Sequence, residues 1–296
     1  MATHPNIMLG SLSIGCWTAR KIDRKSASKT EQEAGAKAGT SSASKHLMAN
    51  VTSFERVTKH ASATRAWWGT VTLPWFDGRG APRAVNAKGV WDLKQLLGEK
   101  ERQYLELVDE FIREYPSLRT QRQFDMGDLF DPREFPETRD LKRRFYFTTS
   151  WTSLPNSEDI RLADGLDKHE VDVLVKQAVE NERSRVEQAM NHAATRLHDV
   201  VKALHEKMAI PIGETGSKFH NTKLENISEL VEIIPILNVT NDPKLNKLAQ
   251  QAKKLAMKSP DELREDAVKR AATADEAKKL AEQIAGLFDV TVTEDE

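Results

Sequence analysis

The sequence predicts an α+β protein that is mainly α: a small mixed α/β N-terminal part over 1–156, then an antiparallel helical bundle over 157–296 around one long helix. Three observations lead to this. Apolar residues recur every three or four positions from Asp167 to Met208, the spacing of one helix face. Alternating or β-branched stretches occur only before Pro155, at Ser11–Ala19, Thr70–Phe76 and Arg144–Ser153. Asp242-Pro243 and Ser259-Pro260 both have the form of a helix start, a capping side chain followed by proline in the first turn.

The long helix is expected over about 168–209. Its stripe runs through Val171, Leu174, Ala178, Val186, Met190, Ala193, Leu197, Val200, Leu204 and Met208, with one gap at Glu182. Neither Gly nor Pro interrupts it, so it should extend on the order of 60 Å at 1.5 Å per residue. Such a stripe gains stability only when covered, by other helices of this chain, by a second copy, or by a helical partner. Val171, Leu174, Val186, Met190, Leu197 and Leu204 are the candidate partner-facing residues.

Among the remaining elements in chain order, Ser11–Ala19 carries Ile14, Cys16 and Trp17 and suggests a strand weakened by Gly15. Lys25–Ala49 is mostly Lys, Ala, Ser, Thr, Gly and Glu, which describes a flexible basic insertion or a marginal helix. Phe54–Trp67 is helical, Thr70–Phe76 is a strand, and Asp77-Gly78-Arg79-Gly80 is a turn. A second strong helix, Val90–Tyr115, presents Leu93, Leu97, Tyr104, Val108, Phe111 and Tyr115 on one face and should stop before Pro116. Gly98 could kink it. Gln123–Pro136 is an ordered loop anchored by Phe124, Phe130 and Phe135, a short helix follows, and Arg144–Ser153 is the best alternating strand. After the long helix come a turn at Pro211 and Gly213, a helix through Leu224, Ile227, Leu230, Val231 and Ile234 that Pro235 ends or kinks, and the two proline-started helices. Thr291–Glu296 should fray.

At 296 residues, with 39% hydrophobic and 30% charged residues and a net charge of −1, the chain has the composition of a globular protein with a highly charged surface. Charge is uneven. Bases lead near the start (Arg20, Lys21, Arg24, Lys25, Lys29, Lys37, Lys45) and acids at the end (Asp289, Glu294, Asp295, Glu296), which suggests an anionic partner for the front or simply a solvated basic loop and an acidic tail. Cys16 is the single cysteine, so no internal disulfide forms. No export signal or run of about 18 apolar residues is present, so a cytoplasmic location without membrane contact is expected.

Rings and bases interleave in the front part: Trp17 with Arg20 and Lys21, Arg65 with Trp67 and Trp68, Trp75 with Arg79 and Arg83, and Lys142, Arg143 and Arg144 with Phe145, Tyr146 and Trp151. Single-stranded nucleic acid is bound by such pairing. Bases stack on rings for about 1–3 kcal/mol each while Lys and Arg neutralise phosphates. Trp17, Arg20, Lys21, Trp67, Trp68, Trp75, Arg143 and Arg144 are therefore candidate nucleic-acid residues. The competing reading places every tryptophan in a small core. Trp67 and Trp68 cannot share one face of a regular element, so one of them faces solvent or packs under a loop.

Other clusters point away from catalysis. Gly213-Glu214-Thr215-Gly216 sits between helices like a phosphate-clamping GxxG loop, but Glu214 would repel phosphate. Gly216-Ser217-Lys218 lacks the spacing and preceding strand of a P-loop. His192, His198 and His205 are six and seven apart, not the three or four that one metal needs on a helix. Asp125, Asp128, Asp131 and Glu134 could attract a cation, though not with calcium-loop spacing, and capping roles suit them better. No nucleophile elbow, metal motif or cofactor motif is present, so no enzyme activity, metal or cofactor is expected.

Ser13-Ile14-Gly15-Cys16-Trp17-Thr18-Ala19-Arg20-Lys21, Leu73-Pro74-Trp75-Phe76-Asp77-Gly78, Arg144-Phe145-Tyr146-Phe147 and Leu237-Asn238-Val239-Thr240-Asn241-Asp242-Pro243-Lys244-Leu245 together resemble an uncharacterised domain family of bacteriophages and mobile elements. The resemblance implies a gene context near a MoxR-type AAA+ ATPase, hence that ATPase as a partner, and the host cytoplasm as location. It implies no catalytic residue. Two functions are thus expected in order: a non-enzymatic protein acting through protein–protein contacts, as a homo-oligomer or an ATPase partner, and a single-strand DNA-binding or annealing protein.

Overall fold

The computed structural model describes residues 6–78, 80–154, 165 and 167–290. In chain order the elements are β1 (Ile7–Gly15), β2 (Arg20–Ile22), α1 (Arg24–Glu33), β3 (Ser44–His46), α2 (Thr52–Val71), β4 (Leu73–Pro74), β5 (Arg83–Asn86), α3 (Val90–Met126), α4 (Thr138–Lys142), β6 (Tyr146–Ser153), α5 (Lys168–Ala209), α6 (Thr222–Leu237), α7 (Pro243–Ala256), α8 (Pro260–Glu265) and α9 (Ala267–Leu287). The protein is mainly α with a small four-stranded sheet of order β4-β5-β1-β6 and a two-stranded sheet of β2 and β3. It divides into two compact units. One, the bundle unit, comprises Met1–Ser11, Trp68–Leu93 and Ser150–Glu296; the other, the hairpin unit, comprises Leu12–Trp67 and Lys94–Thr149.

In the bundle unit, α5 is continuous over 42 residues, as its unbroken stripe predicts. Asp167 accepts from the Glu170 backbone while the Glu170 carboxylate accepts from that of Asp167, a capping box that fixes where the helix starts. α9 runs antiparallel to α5: Arg270 near its start bonds Lys207 and Ile210 at the end of α5, and His205 pairs with the Ala274 carbonyl. Small buried side chains occur on both helices, Ala189, Ala193 and Ala194 on α5 and Ala274, Ala277 and Ala281 on α9, and small residues suit a close approach of two axes. α6 and α7 close the core with Leu224, Ile227, Ile234, Leu245, Leu248 and Leu255, and β1 and β5 supply Ile7, Leu9 and Ala84. β5 pairs antiparallel with β1 from Ile7 opposite Asn86 to Gly10 opposite Arg83, and with β4 at Leu73 opposite Ala84. Gly10 is required here, since a Cβ would lie 2.7 Å from the Trp151 ring and 2.9 Å from that of Trp68.

In the hairpin unit the core is aromatic. Trp17, Phe54, Phe111, Tyr115 and Phe145 meet through ring pairs 5.2 to 6.0 Å apart, mostly edge-on, an arrangement the ring quadrupoles favour. Tyr104 donates to the Gly15 carbonyl and lies 3.4 Å from the Cys16 Sγ; burial pushes its hydroxyl above the usual range, and that of Tyr115 to about 12.

Several elements depart from expectation. β1 begins earlier, at Ile7, and stops at Gly15 instead of running to Ala19, whose φ of 50° is incompatible with a strand. The expected strand at Thr70–Phe76 shrinks to Leu73–Pro74, because Thr70 and Val71 complete α2. α3 does not stop before Pro116 but continues to Met126, and it passes through Gly98 as well. A proline inside a helix forfeits one backbone hydrogen bond and crowds a carbonyl of the preceding turn. Beyond it the helix is anchored laterally, by Arg119 on the Pro132 carbonyl and Arg122 on that of Ala49. α6 likewise passes Pro235 and ends two residues later, held by the buried Ile234 and Leu237. The helix after Ser259-Pro260 is two helices, broken at Asp266, which caps α9. Within 25–49, α1 and β3 are present; Glu31 holds the intervening turn by accepting from the amides of Gly39 and Ser41. Arg79, Pro155, Asn156 and Thr291–Glu296 lie outside the described residues.

Arg270 is 3% exposed, and its guanidinium donates to the carbonyls of Lys207, Ile210, Leu263 and Ser217. Removing it strands buried acceptors, so Arg270→Ala should cost about 3 kcal/mol or more in chemical denaturation. Arg270→Lys keeps the charge without the planar fork and should recover only part of that loss; full recovery would show that charge alone matters.

Candidate interaction surfaces

The six candidate partner-facing residues of α5 fall into two groups. Val186, Met190, Leu197 and Leu204 belong to the bundle core, covered by helices of the same chain. They are therefore unavailable to a partner, which corrects that part of the expectation. The reason is that α9 and α6 pack against this part of α5, α9 with 21 residues against the 42 of α5. Before Val186, α5 contributes nothing to that core; Val171 and Val175 are nonetheless buried, so Val171 is corrected too, and of the six only Leu174 is open to a partner, 39% exposed like its neighbour Val173. Glu182, the gap in the apolar stripe, is buried.

The eight candidate nucleic-acid residues are also divided. Trp17, Arg20, Lys21, Trp67, Arg143 and Arg144 lie in the hairpin unit, Trp68 and Trp75 in the bundle unit. Trp17, Trp68 and Trp75 are 4%, 6% and 5% exposed. Trp17 sits against Phe54 and Tyr115, and Trp68 edge-on to Trp151, 5.7 Å between centroids. Rings so enclosed offer no face to a base, so their stacking role is corrected to a core role. Of the adjacent pair, Trp67 is the half-exposed member, with the Lys100 ammonium 4.7 Å above its ring. Arg20, Lys21, Arg143 and Arg144 remain exposed.

The other sequence clusters have structural partners. His198 is buried with Nδ1 3.1 Å from the Asp199 carboxylate, His205 pairs with a backbone carbonyl, and His192 is exposed. Asp131 caps a single helical turn; hydrogen bonds from Arg133 hold its carboxyl down at about 2. Asp125 accepts from Arg122, and Glu134 pairs with Lys45 at 2.7 Å. Among the described residues no group of three His, Cys, Asp or Glu could hold a metal ion. Gly213 and Gly216 adopt φ of 94° and 86°, the turn geometry that needs glycine, and Lys207 ties the turn by donating to Gly216.

Sequence spacing does not single out two further constellations. In the bundle unit, Asn86 is fully buried at the end of β5; its amide donates to the Asn238 carbonyl and the Asn241 side chain, while Asn238 donates to Asn246 and to the Asp242 carbonyl. This network fixes the α6–α7 turn beside a cavity of about 330 Å³ lined by Lys88, Asp92 and Glu232. Its sequence trace is the density of asparagine in Asn238–Asp242. In the hairpin unit, a cavity of about 480 Å³ is lined by Asp23, Lys45, His46, Arg122 and Asp125. Beside it β2 and β3 pair with Arg20 opposite His46, Lys21 opposite Lys45 and Ile22 opposite Ser44. Asp23 caps α1 through Ser26, and both Asp23 and Glu31 have their pKa values lowered by hydrogen bonds, from the Ser26 hydroxyl and from the Ser41 amide respectively.

The class is that of a mainly helical α+β protein, and among the described residues no helix is long and apolar enough to cross a membrane. Compared with protein-family models, with curated proteins and with solved structures, the chain matches none.

Because the folded pKa of Glu31 lies below its usual 4.5, its bonds to Gly39 and Ser41 stabilise the turn above that pH and are lost as pH falls through the folded value. Hydrogen exchange should show those two amides protected at neutral pH and losing protection only once the pH has fallen below 4.5, the usual value of a glutamate. Unchanged protection there would mean the carboxylate does not hold the turn.

Proposed function

We propose that this chain is a non-enzymatic protein acting through protein–protein contacts, either self-assembly or the docking of an AAA+ ATPase, made by the first part of α5. The observation that carries the reading is the mismatch of lengths: α5 has 42 residues, α9 has 21, and α5 enters the bundle core only from Val186 onward. The segment before it amounts to roughly 27 Å of helix at 1.5 Å per residue. It carries Val173 and Leu174 exposed side by side, next to the buried Val171 and Val175. A short apolar patch on a capped helix suits a second helix laid along it. The phage and mobile-element resemblance adds a MoxR-type ATPase as the heterologous candidate.

Light scattering at micromolar concentration tests the first form. A mass of two or more chains is expected, reverting to one chain in Val173→Glu/Leu174→Glu with unchanged helical circular dichroism. The second form is tested by retention of a MoxR-type ATPase on the immobilised chain, lost in the same variant. A monomer that retains no ATPase would end the proposal.

A further inference from the structure

We infer that the module of β2, α1 and β3 is a docking surface for the phosphate backbone of duplex nucleic acid, bound without regard to base sequence. The module is basic where it meets solvent. Arg20, Lys21, Arg24, Lys25, Lys29 and Lys37 are all exposed. Strand pairing places Arg20 and His46 opposite each other, so with Ile22 and Ser44 they share one face of the small sheet. On α1, Lys25, Ser28, Lys29 and Gln32 follow helical spacing along one exposed stripe, while Ala27 and Glu31 turn toward the returning chain at Ser41. Lysine, arginine and serine on a regular element are the groups that contact phosphate oxygens.

The acids of the same stretch do not cancel this surface. Asp23 and Glu31 are 8% and 7% exposed and are spent on the α1 cap and the 39–41 turn. Glu33 is exposed and lies 3.8 Å from Lys29. The nearby Glu134 and Asp125 are held by Lys45 and Arg122. The module is also pre-organised: Asp23 and Leu47 donate backbone bonds to Ala43 and Ala19, and Lys45 reaches the Leu129 carbonyl as well as Glu134. An ordered array of cations loses less entropy on binding than a flexible tail would.

Two features favour duplex over other anions. The exposed face carries one large apolar side chain, Ile22, 72% exposed, which is too little for insertion into a lipid surface. The module from Arg20 to His46 contains no Trp, Tyr or Phe, and Trp17 is enclosed in the core; the one exposed phenylalanine near it in the unit, Phe124, stands on α3 and not on the basic face, so the module itself carries no large ring for stacking on an unpaired base. What remains is backbone contact, and that gains most from the dense phosphate charge of a duplex.

The test is fluorescence anisotropy of a labelled mixed-sequence duplex of about twenty base pairs with the full chain. With about three to five phosphates neutralised, affinity should fall about 50- to 500-fold between about 50 and 200 mM salt. Lys25→Glu/Lys29→Glu should weaken binding about tenfold or more at low salt, whereas Lys247→Glu/Lys254→Glu on the likewise basic α7 should change it by less than about twofold. Single strands of equal length should bind no more tightly than duplex. No binding at low salt, an equal or greater loss from the α7 reversal, a preference for single strands, or binding to phosphatidylserine vesicles in place of duplex would each overturn the inference. Its failure is separable from that of the protein–protein reading, which is scored by mass and ATPase retention without nucleic acid.

Discussion

A helix ends in carbonyls that nothing inside it can satisfy, and the bundle unit answers that problem with arginine. At the end of α5 the carbonyls of Lys207 and Ile210 accept from Arg270, which also reaches Leu263 at the end of α8 and Ser217 in the turn between α5 and α6. One side chain thus joins α5, α8, α9 and a turn. Its positive charge is balanced by converging carbonyl dipoles at the negative end of α5, and among the described residues no carboxylate is in hydrogen-bond contact with it. The end of α2 repeats the device. Arg83 and Arg196 both donate to the carbonyls of Gly69 and Thr72, and Arg196 also to that of Thr70. Burial, and then the neighbouring Arg83, bring Arg196 down to about 10, so it stays charged at neutral pH. A planar guanidinium suits this work because its donors diverge toward several acceptors at once.

The hairpin unit is held differently. Its interior is built from rings, and its backbone ends are tied by single side-chain bonds, Tyr104 to Gly15, Tyr115 to Pro136 and Arg122 to Ala49. Edge-on ring packing tolerates little change of shape, which is consistent with Tyr146 pressed against Gly15, where a Cβ would meet the ring at 2.1 Å. The small β2–β3 sheet has no apolar face to bury, and its order derives from carboxylates and one lysine.

What the sequence made legible is what local chemistry decides. The bounds of α5 follow from Asp167 and from the lack of Gly or Pro, and the starts of α7 and α8 from Asp242 and Ser259. What it hid depends on distant partners. β5 is four residues long and exists because it pairs with β1 from far along the chain. α3 passes Pro116 because side chains beyond it find carbonyls elsewhere. The interleaving of tryptophans with bases reads the same whether the rings face inward or outward, and Trp17, Trp68 and Trp75 face inward. Arg270 did leave a trace, a cation in register with the buried Ala274, Ala277 and Ala281, but only the carbonyls gathered around it give that position meaning. For the surfaces, the basic residues near the start were visible as composition, whereas the inward turn of Asp23 and Glu31 was not.

The bundle unit is assembled from three separate stretches of chain and the hairpin unit from two. Neither is encoded by one contiguous piece of gene. Grafting either unit intact onto another chain would therefore take several separate junctions and not one.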